Sequence, residues 1–213
     1  MNTLTQIRFI WKPAVFFACL LPALQAVGDA FGVTGDLGAN PVEALQDHFG
    51  NWGLRFVLIA LAVTPVRQIT GRNWVTRFRR MLGLFAFFYV LMHFLVWLLL
   101  DQSLNLSAIG ADIFERPFIT IGFAAFLLLS AMAATSTNGM RRRLGRRWQQ
   151  LHYSVYAVGI LAVWHYWWQV KKDVTEPLIY ATLLIILLGY RVVHHWRHVH
   201  DRKKKAGARI VTA

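Results

Sequence analysis

Charge is scarce in this chain. Only 15% of its 213 residues are Asp, Glu, Lys or Arg, while 56% are hydrophobic, against about 25% and roughly 45–50% in an ordinary soluble domain. A water-soluble enzyme of this size needs more polar surface than that, so most of the chain is expected to face lipid. The mean hydropathy of +0.42 agrees. Cysteine is almost absent. Cys19, the only one, sits in an apolar run, which excludes an intramolecular disulfide and any cysteine-built metal or iron–sulfur centre within one chain. No Gly-rich phosphate loop follows a strand, no internal repeat or low-complexity segment stands out, and no loop is long enough for a second domain. The longest stretch between apolar runs is Gly28 to Asn51. The tail after the last run is shorter than the ~30-residue βαβ unit that a dinucleotide site requires. Any soluble donor of electrons or hydride is therefore expected to be another protein.

Long apolar runs are what the chain does have. Crossing a hydrocarbon core of about 30 Å takes ~20 apolar residues, with somewhat shorter runs tolerated. Six runs qualify, over residues 11–27, 52–66, 82–100, 118–135, 151–170 and 178–193. The expected fold is all-α: one polytopic membrane helical bundle of six transmembrane helices spanning 1–213, with a basic tail at 194–213. Arg8 and Lys12 ahead of an apolar core that ends near Ala26 also suit a signal peptide, and either reading leaves the later helices oriented alike.

The charges are sorted by end. Of the 23 Lys and Arg, 19 fall at or before the start of the first run, between the second and third, between the fourth and fifth, or from Arg191 onward, whereas nine of ten acids fall at the other end. The positive-inside preference makes the N- and C-termini cytoplasmic. A nucleic-acid partner is excluded, because the cations occupy short loops beside membrane spans and not one soluble face, and anionic lipid headgroups account for them.

Three of the eight histidines lie within the runs: His93, His165 and His152. An imidazole in hydrocarbon leaves ring nitrogens to be satisfied, so it faces a partner, a cavity or a cofactor. At 1.5 Å per residue, His93 stands ~17 Å above Leu82 and His165 ~20 Å above His152. The third and fifth runs both lead outward, so the two rings reach similar depth. Two neutral imidazoles on separate helices at one level can take both axial positions of a haem iron, an arrangement suited to electron transfer because no position is left for substrate. The bland alternative is a structural hydrogen bond from each ring across a helix interface. Phe88, Tyr89, Phe94, Trp97, Trp164, Tyr166, Trp167 and Trp168 either wall such a group or form the interfacial belt.

His152 is open between two readings. It lies where an inner, second haem would be ligated, but an ideal helix turns it ~140° away from His165, and the third run offers only Arg79 and Arg80 at that height. Otherwise it is a polar residue at headgroup level. His194, His195 and His198 contain an i, i+4 pair, yet a basic headgroup-facing helix end explains them better than a metal site. Arg55 reaches a propionate or snorkels to the interface.

Trp52-Gly53-Leu54-Arg55-Phe56 through Val63-Thr64-Pro65-Val66-Arg67, Arg79-Arg80-Met81-Leu82-Gly83-Leu84, Arg116-Pro117-Phe118, Thr135-Ser136-Thr137-Asn138 and Leu144-Gly145-Arg146-Arg147-Trp148-Gln149-Gln150-Leu151-His152 resemble the MsrQ (formerly YedZ) family within the ferric-reductase-like transmembrane group. The likeness covers nearly the whole chain. It implies a haem-binding membrane subunit of a bacterial periplasmic methionine sulfoxide reductase system in the inner membrane. His93, His152 and His165 would be its haem-associated histidines, and haem b and FMN its cofactors. Electrons would pass from the quinone pool, or from a cytoplasmic flavin reductase, to a periplasmic molybdopterin catalytic subunit, MsrP. Where the family often has a basic residue after His152, this chain has Tyr153.

The sequence thus points to a cytochrome b that relays electrons outward and leaves methionine sulfoxide chemistry to its partner. That partner would dock on the acidic residues Asp29, Asp36, Glu43, Asp47, Asp112 and Glu115. A proton-coupled transporter using His93 and His165 would need interior carboxylates and paired broken helices, which are missing from the pattern. A haem-free anchor is the third reading.

Overall fold

The computed structural model describes the backbone of residues 3–170 and 173–211 and the side chains of 5–170, 173–197 and 200. Regular structure among these residues is helical throughout. Helix α1 (Lys12–Ala30) is extended backwards by a π-turn, Ile7–Trp11. Helix α2 is Pro41–Thr70, and α3 (Arg79–Val96) runs from a 3₁₀ turn, Asn73–Phe78, into a π-turn, Trp97–Asp101. Then follow α4 (Leu106–Glu115), α5 (Pro117–Ala134), α6 (Asn138–Leu144), α7 (Arg146–His152), α8 (Ser154–Gln169) and α9 (Thr175–Val211).

Local chemistry sets the ends. Asn40 caps α2 by accepting from the Glu43 N–H while its amide donates to the Glu43 carboxylate at 2.8 Å, a reciprocal cap. The helix stops at Gly71, whose φ of 68° is the left-handed conformation that glycine adopts without strain. Asn105 caps α4 with bonds of 3.2 Å from the Ser107 and Ala108 N–H groups.

Two helix pairs form the bundle, α2 with α3 and α5 with α8. Gly53 allows the first to close: a Cβ there would stand 2.7 Å from Cγ2 of Val90. Phe56 of α2 then stacks on Tyr89 and Phe85 of α3, with ring centres 5.1 and 5.8 Å apart. Pro22 interrupts the hydrogen-bond ladder of α1, and beside it the fully buried Tyr89 hydroxyl donates to the Cys19 carbonyl at 2.7 Å and accepts from the Ala23 N–H at 3.1 Å. His48 of α2 approaches the Pro22 carbonyl at 2.8 Å. These contacts anchor α1 to α2 and α3. On the other side, Arg191 of α9 donates to the carbonyls of Leu61 and Leu187 and lies over the Tyr156 ring. Outward faces stay apolar, with Phe17 63% and Ile185 69% exposed, as suits a lipid-facing surface.

Five stretches are long and apolar enough to cross a membrane: Ile7–Ala30, Pro41–Thr70, Asn73–Asp101, Pro117–Ala134 and Thr175–Arg197. The chain is a multi-pass membrane helical bundle. The expected run at 151–170 differs from the rest. It is divided at Tyr153, and α8 has 16 residues, ~24 Å of helix. The stretch from Gly28 to Asn51, expected as loop, is mostly the ends of α1 and α2.

Candidate functional site

His93 lies near the end of α3 and His165 near the end of α8. Nδ1 of His93 is 2.9 Å from the Gln46 carbonyl of α2, and Nδ1 of His165 is 2.7 Å from the Phe118 carbonyl of α5. A carbonyl only accepts, so each Nδ1 carries the hydrogen and each Nε2 keeps its lone pair, the tautomer a metal-ligating imidazole needs. Both bonds span 47 residues. A glycine follows each acceptor by one helical turn: a Cβ on Gly50 would stand 3.0 Å from Nδ1 of His93, and one on Gly122 2.8 Å from Nδ1 of His165. The two helix pairs therefore hold their histidines by the same device, a carbonyl to orient the ring and a bare Cα to admit it.

The ring centres are 6.1 Å apart and the ring planes cross at 81°. Metal–imidazole bonds are ~2 Å, so a metal shared by two rings keeps their centres about 6 Å apart. Both rings line one cleft that opens to the surface. Its walls include Leu54, Val57, Val90, Phe94, Phe123 and Phe126, with Phe94 stacked on Phe126 at 4.4 Å. Asp47, Asn51, Asp101, Arg116, Tyr166 and Gln169 supply polar lining. Arg116 is paired at 3.2 Å with Asp112. Trp97 also lines the cleft, and its buried Nε1 has no hydrogen-bond partner among the described residues, a donor left for something else to satisfy.

Among the described residues no three His, Cys, Asp or Glu side chains gather to hold a metal ion. Two imidazoles opposed across an apolar cleft suit a metal whose remaining ligands come from a flat macrocycle, which is the donor set of a six-coordinate haem. The residues present fit that group.

Other expected site residues lie elsewhere. His152 is outside the cleft lining, stacked on Trp148 at 3.8 Å with Nδ1 3.0 Å from the Trp148 carbonyl. Of the eight aromatics considered, Phe94, Trp97 and Tyr166 line the cleft. Phe88 and Tyr89 pack in the core cluster, and Trp164, Trp167 and Trp168 face outward. Arg55 is held by the Tyr180 hydroxyl at 2.8 Å and lies over the Trp52 ring, so it contributes nothing to the cleft lining. His194 meets the Gln68 amide at 3.3 Å, and the His198 side chain lies outside the described residues. Sequence reasoning missed Gln46, Phe118, Gly50 and Gly122. The signal was present as one spacing repeated between acceptor and histidine.

Residues 49–163 match the ferric reductase like transmembrane component family. The chain is 49% identical over 198 residues to the protein-methionine-sulfoxide reductase heme-binding subunit MsrQ of Ralstonia nicotianae, covering 92% of this chain and 90% of that one. It is 49% identical over 188 residues to the same subunit of Bordetella pertussis, covering 87% and 90%. With that of Xanthomonas euvesicatoria pv. vesicatoria identity is 50% over 175 residues, covering 82% and 79%. The chain belongs to the MsrQ family, within the ferric-reductase-like transmembrane group.

Proposed function

We propose that this chain is a membrane cytochrome b whose His93 and His165 are the axial ligands of one haem b. The observation that carries the reading is the matched pair of Nδ1–carbonyl bonds, which leaves both Nε2 lone pairs free on two rings that line one cleft. The haem-binding names of the relatives support it. When bound, such a group supplies a reversible one-electron couple.

The chain's own residues do the rest. Gln46 and Phe118 orient the imidazoles by accepting from Nδ1–H. The Phe94–Phe126 stack lines the cleft with apolar surface and so restricts water. Trp97, whose N–H has no partner among the described residues, would offer that N–H to a group bound in the cleft. If His93 and His165 both held the group, no position on it would be left for a substrate, and the chain's role would be to relay electrons.

Several finer features belong to this reading. The chain crosses the bacterial inner membrane six times, with α8 as the short fifth crossing and both termini cytoplasmic. Electrons enter from the quinone pool or a cytoplasmic flavin donor. They leave to a periplasmic molybdopterin subunit, MsrP-like, that reduces methionine sulfoxide in oxidised proteins. A second haem on His152 is supported by the Nδ1 bond to Trp148, which leaves its Nε2 as a donor too. FMN enters through the family resemblance, without assigned residues.

A visible spectrum of the purified chain tests the central claim. A Soret band that shifts on dithionite reduction is expected, and both His93→Ala and His165→Ala should remove the six-coordinate signature. Colourless wild-type protein, or a native iron spectrum surviving either change, would overturn the assignment.

A further inference from the structure

A second cleft opens at the opposite, basic end of the bundle, where α1 and α3 begin. We propose that it binds an anionic phospholipid, with the phosphate on Lys12, Arg77 and Arg80 and the acyl chains along Phe16, Leu84 and Phe85.

Charge argues for the headgroup. The three cations line one cleft, no acidic residue lines it, and none of them forms an ion pair among the described residues. Arg80 has a neutral partner, donating to the Asn138 side-chain carbonyl at 3.2 Å. Three like charges brought together in a partly enclosed space repel unless an anion joins them. Surface chemistry argues for the tails. Phe16 and Phe85 pack with ring centres 5.2 Å apart, and Phe16 and Leu84 are 45% and 37% exposed. The cations therefore stand where two membrane helices start, and the apolar strip begins one to two turns further in. That order, anion contacts first and hydrocarbon contacts next, is the order of groups along a phospholipid entering from the interface. A neutral quinone would have no use for three cations, and a free phosphate none for the apolar strip.

This inference does not rest on the haem assignment, and its readout is lipid binding. Native mass spectrometry of the full chain released from mixed micelles would compare phosphatidylglycerol with phosphatidylcholine of identical acyl chains. Phosphatidylglycerol should be retained preferentially, and a Lys12→Gln, Arg77→Gln, Arg80→Gln triple variant should lose at least tenfold of that preference. A charge-matched control, Arg141→Gln, Arg142→Gln, Arg143→Gln, should keep it, with circular dichroism verifying that both fold. Equal retention of the two lipids, equal loss in the control, displacement by glycerophosphoglycerol or inorganic phosphate, or FMN found in place of lipid would each overturn the proposal.

Discussion

A methyl group on Gly122 would stand 2.8 Å from Nδ1 of His165, in the space the imidazole uses to reach the Phe118 carbonyl. Gly122→Ala must therefore displace the ring or its helix, and misplace Nε2. The expected result is a haem-to-protein ratio at most half that of wild type in the pyridine haemochrome assay. Gly50→Ala, where the corresponding approach is 3.0 Å, should lose less. A Gly122→Ala protein that loads haem fully with an unchanged midpoint potential would contradict the brace.

Tyr89 bridges two groups of the α1 backbone, the Cys19 carbonyl and the Ala23 N–H. Tyr89→Phe keeps the ring and removes the bridge, leaving polar groups buried. A cost of about 1–3 kcal/mol is expected, read as a lower Tm in detergent, with the haem spectrum retained because Tyr89 is absent from the cleft lining.

Trp97→Phe separates the empty protein from the loaded one. The indole N–H has no partner among the described residues, so its removal from haem-free protein should leave Tm unchanged or slightly raised. In loaded protein the same change should speed haem transfer to apomyoglobin several-fold. Loss of stability in the haem-free form would mean that the N–H is already satisfied within the protein.

His152 decides the haem count. If it holds a second haem, His152→Ala should halve the haemochrome ratio and leave the spectrum of the His93–His165 centre in place. If the wild-type ratio is one and the variant matches it, His152 serves only to pack on Trp148.

The acids away from the basic end are expected to receive the partner subunit. Neutralising Asp29, Asp36, Glu43, Asp47, Asp112 and Glu115 together should weaken partner binding at least tenfold at low salt, with the difference shrinking as ionic strength rises, because exposed charges act through a screened field. Binding unchanged at low salt would remove this surface from consideration.

Much of this was legible in the residues. His93 announced itself as an imidazole in an otherwise apolar run, and His165 matched it in depth because helical rise is uniform. The division at Tyr153 was not legible, since Leu151 to Val170 reads as continuous apolar sequence. Arg55 was read toward the cofactor or the interface, and the partners it found, Tyr180 and Trp52, come partly from a helix 125 residues away. The aromatics near His165 were read together, although the helical turn sends Tyr166 to the cleft and Trp164, Trp167 and Trp168 outward.

Composition, apolar run length and charge placement determined by themselves that this chain is a helical membrane protein with two imidazoles at one depth, because hydrocarbon admits only helices with satisfied backbones and taxes every polar group inside. Tertiary packing alone decided that those imidazoles would face each other at 6.1 Å with Nε2 left as the donor. That outcome depends on which carbonyl of a neighbouring helix meets each ring. Such a contact is set by side-chain interdigitation and by a glycine's missing Cβ, neither of which local periodicity records.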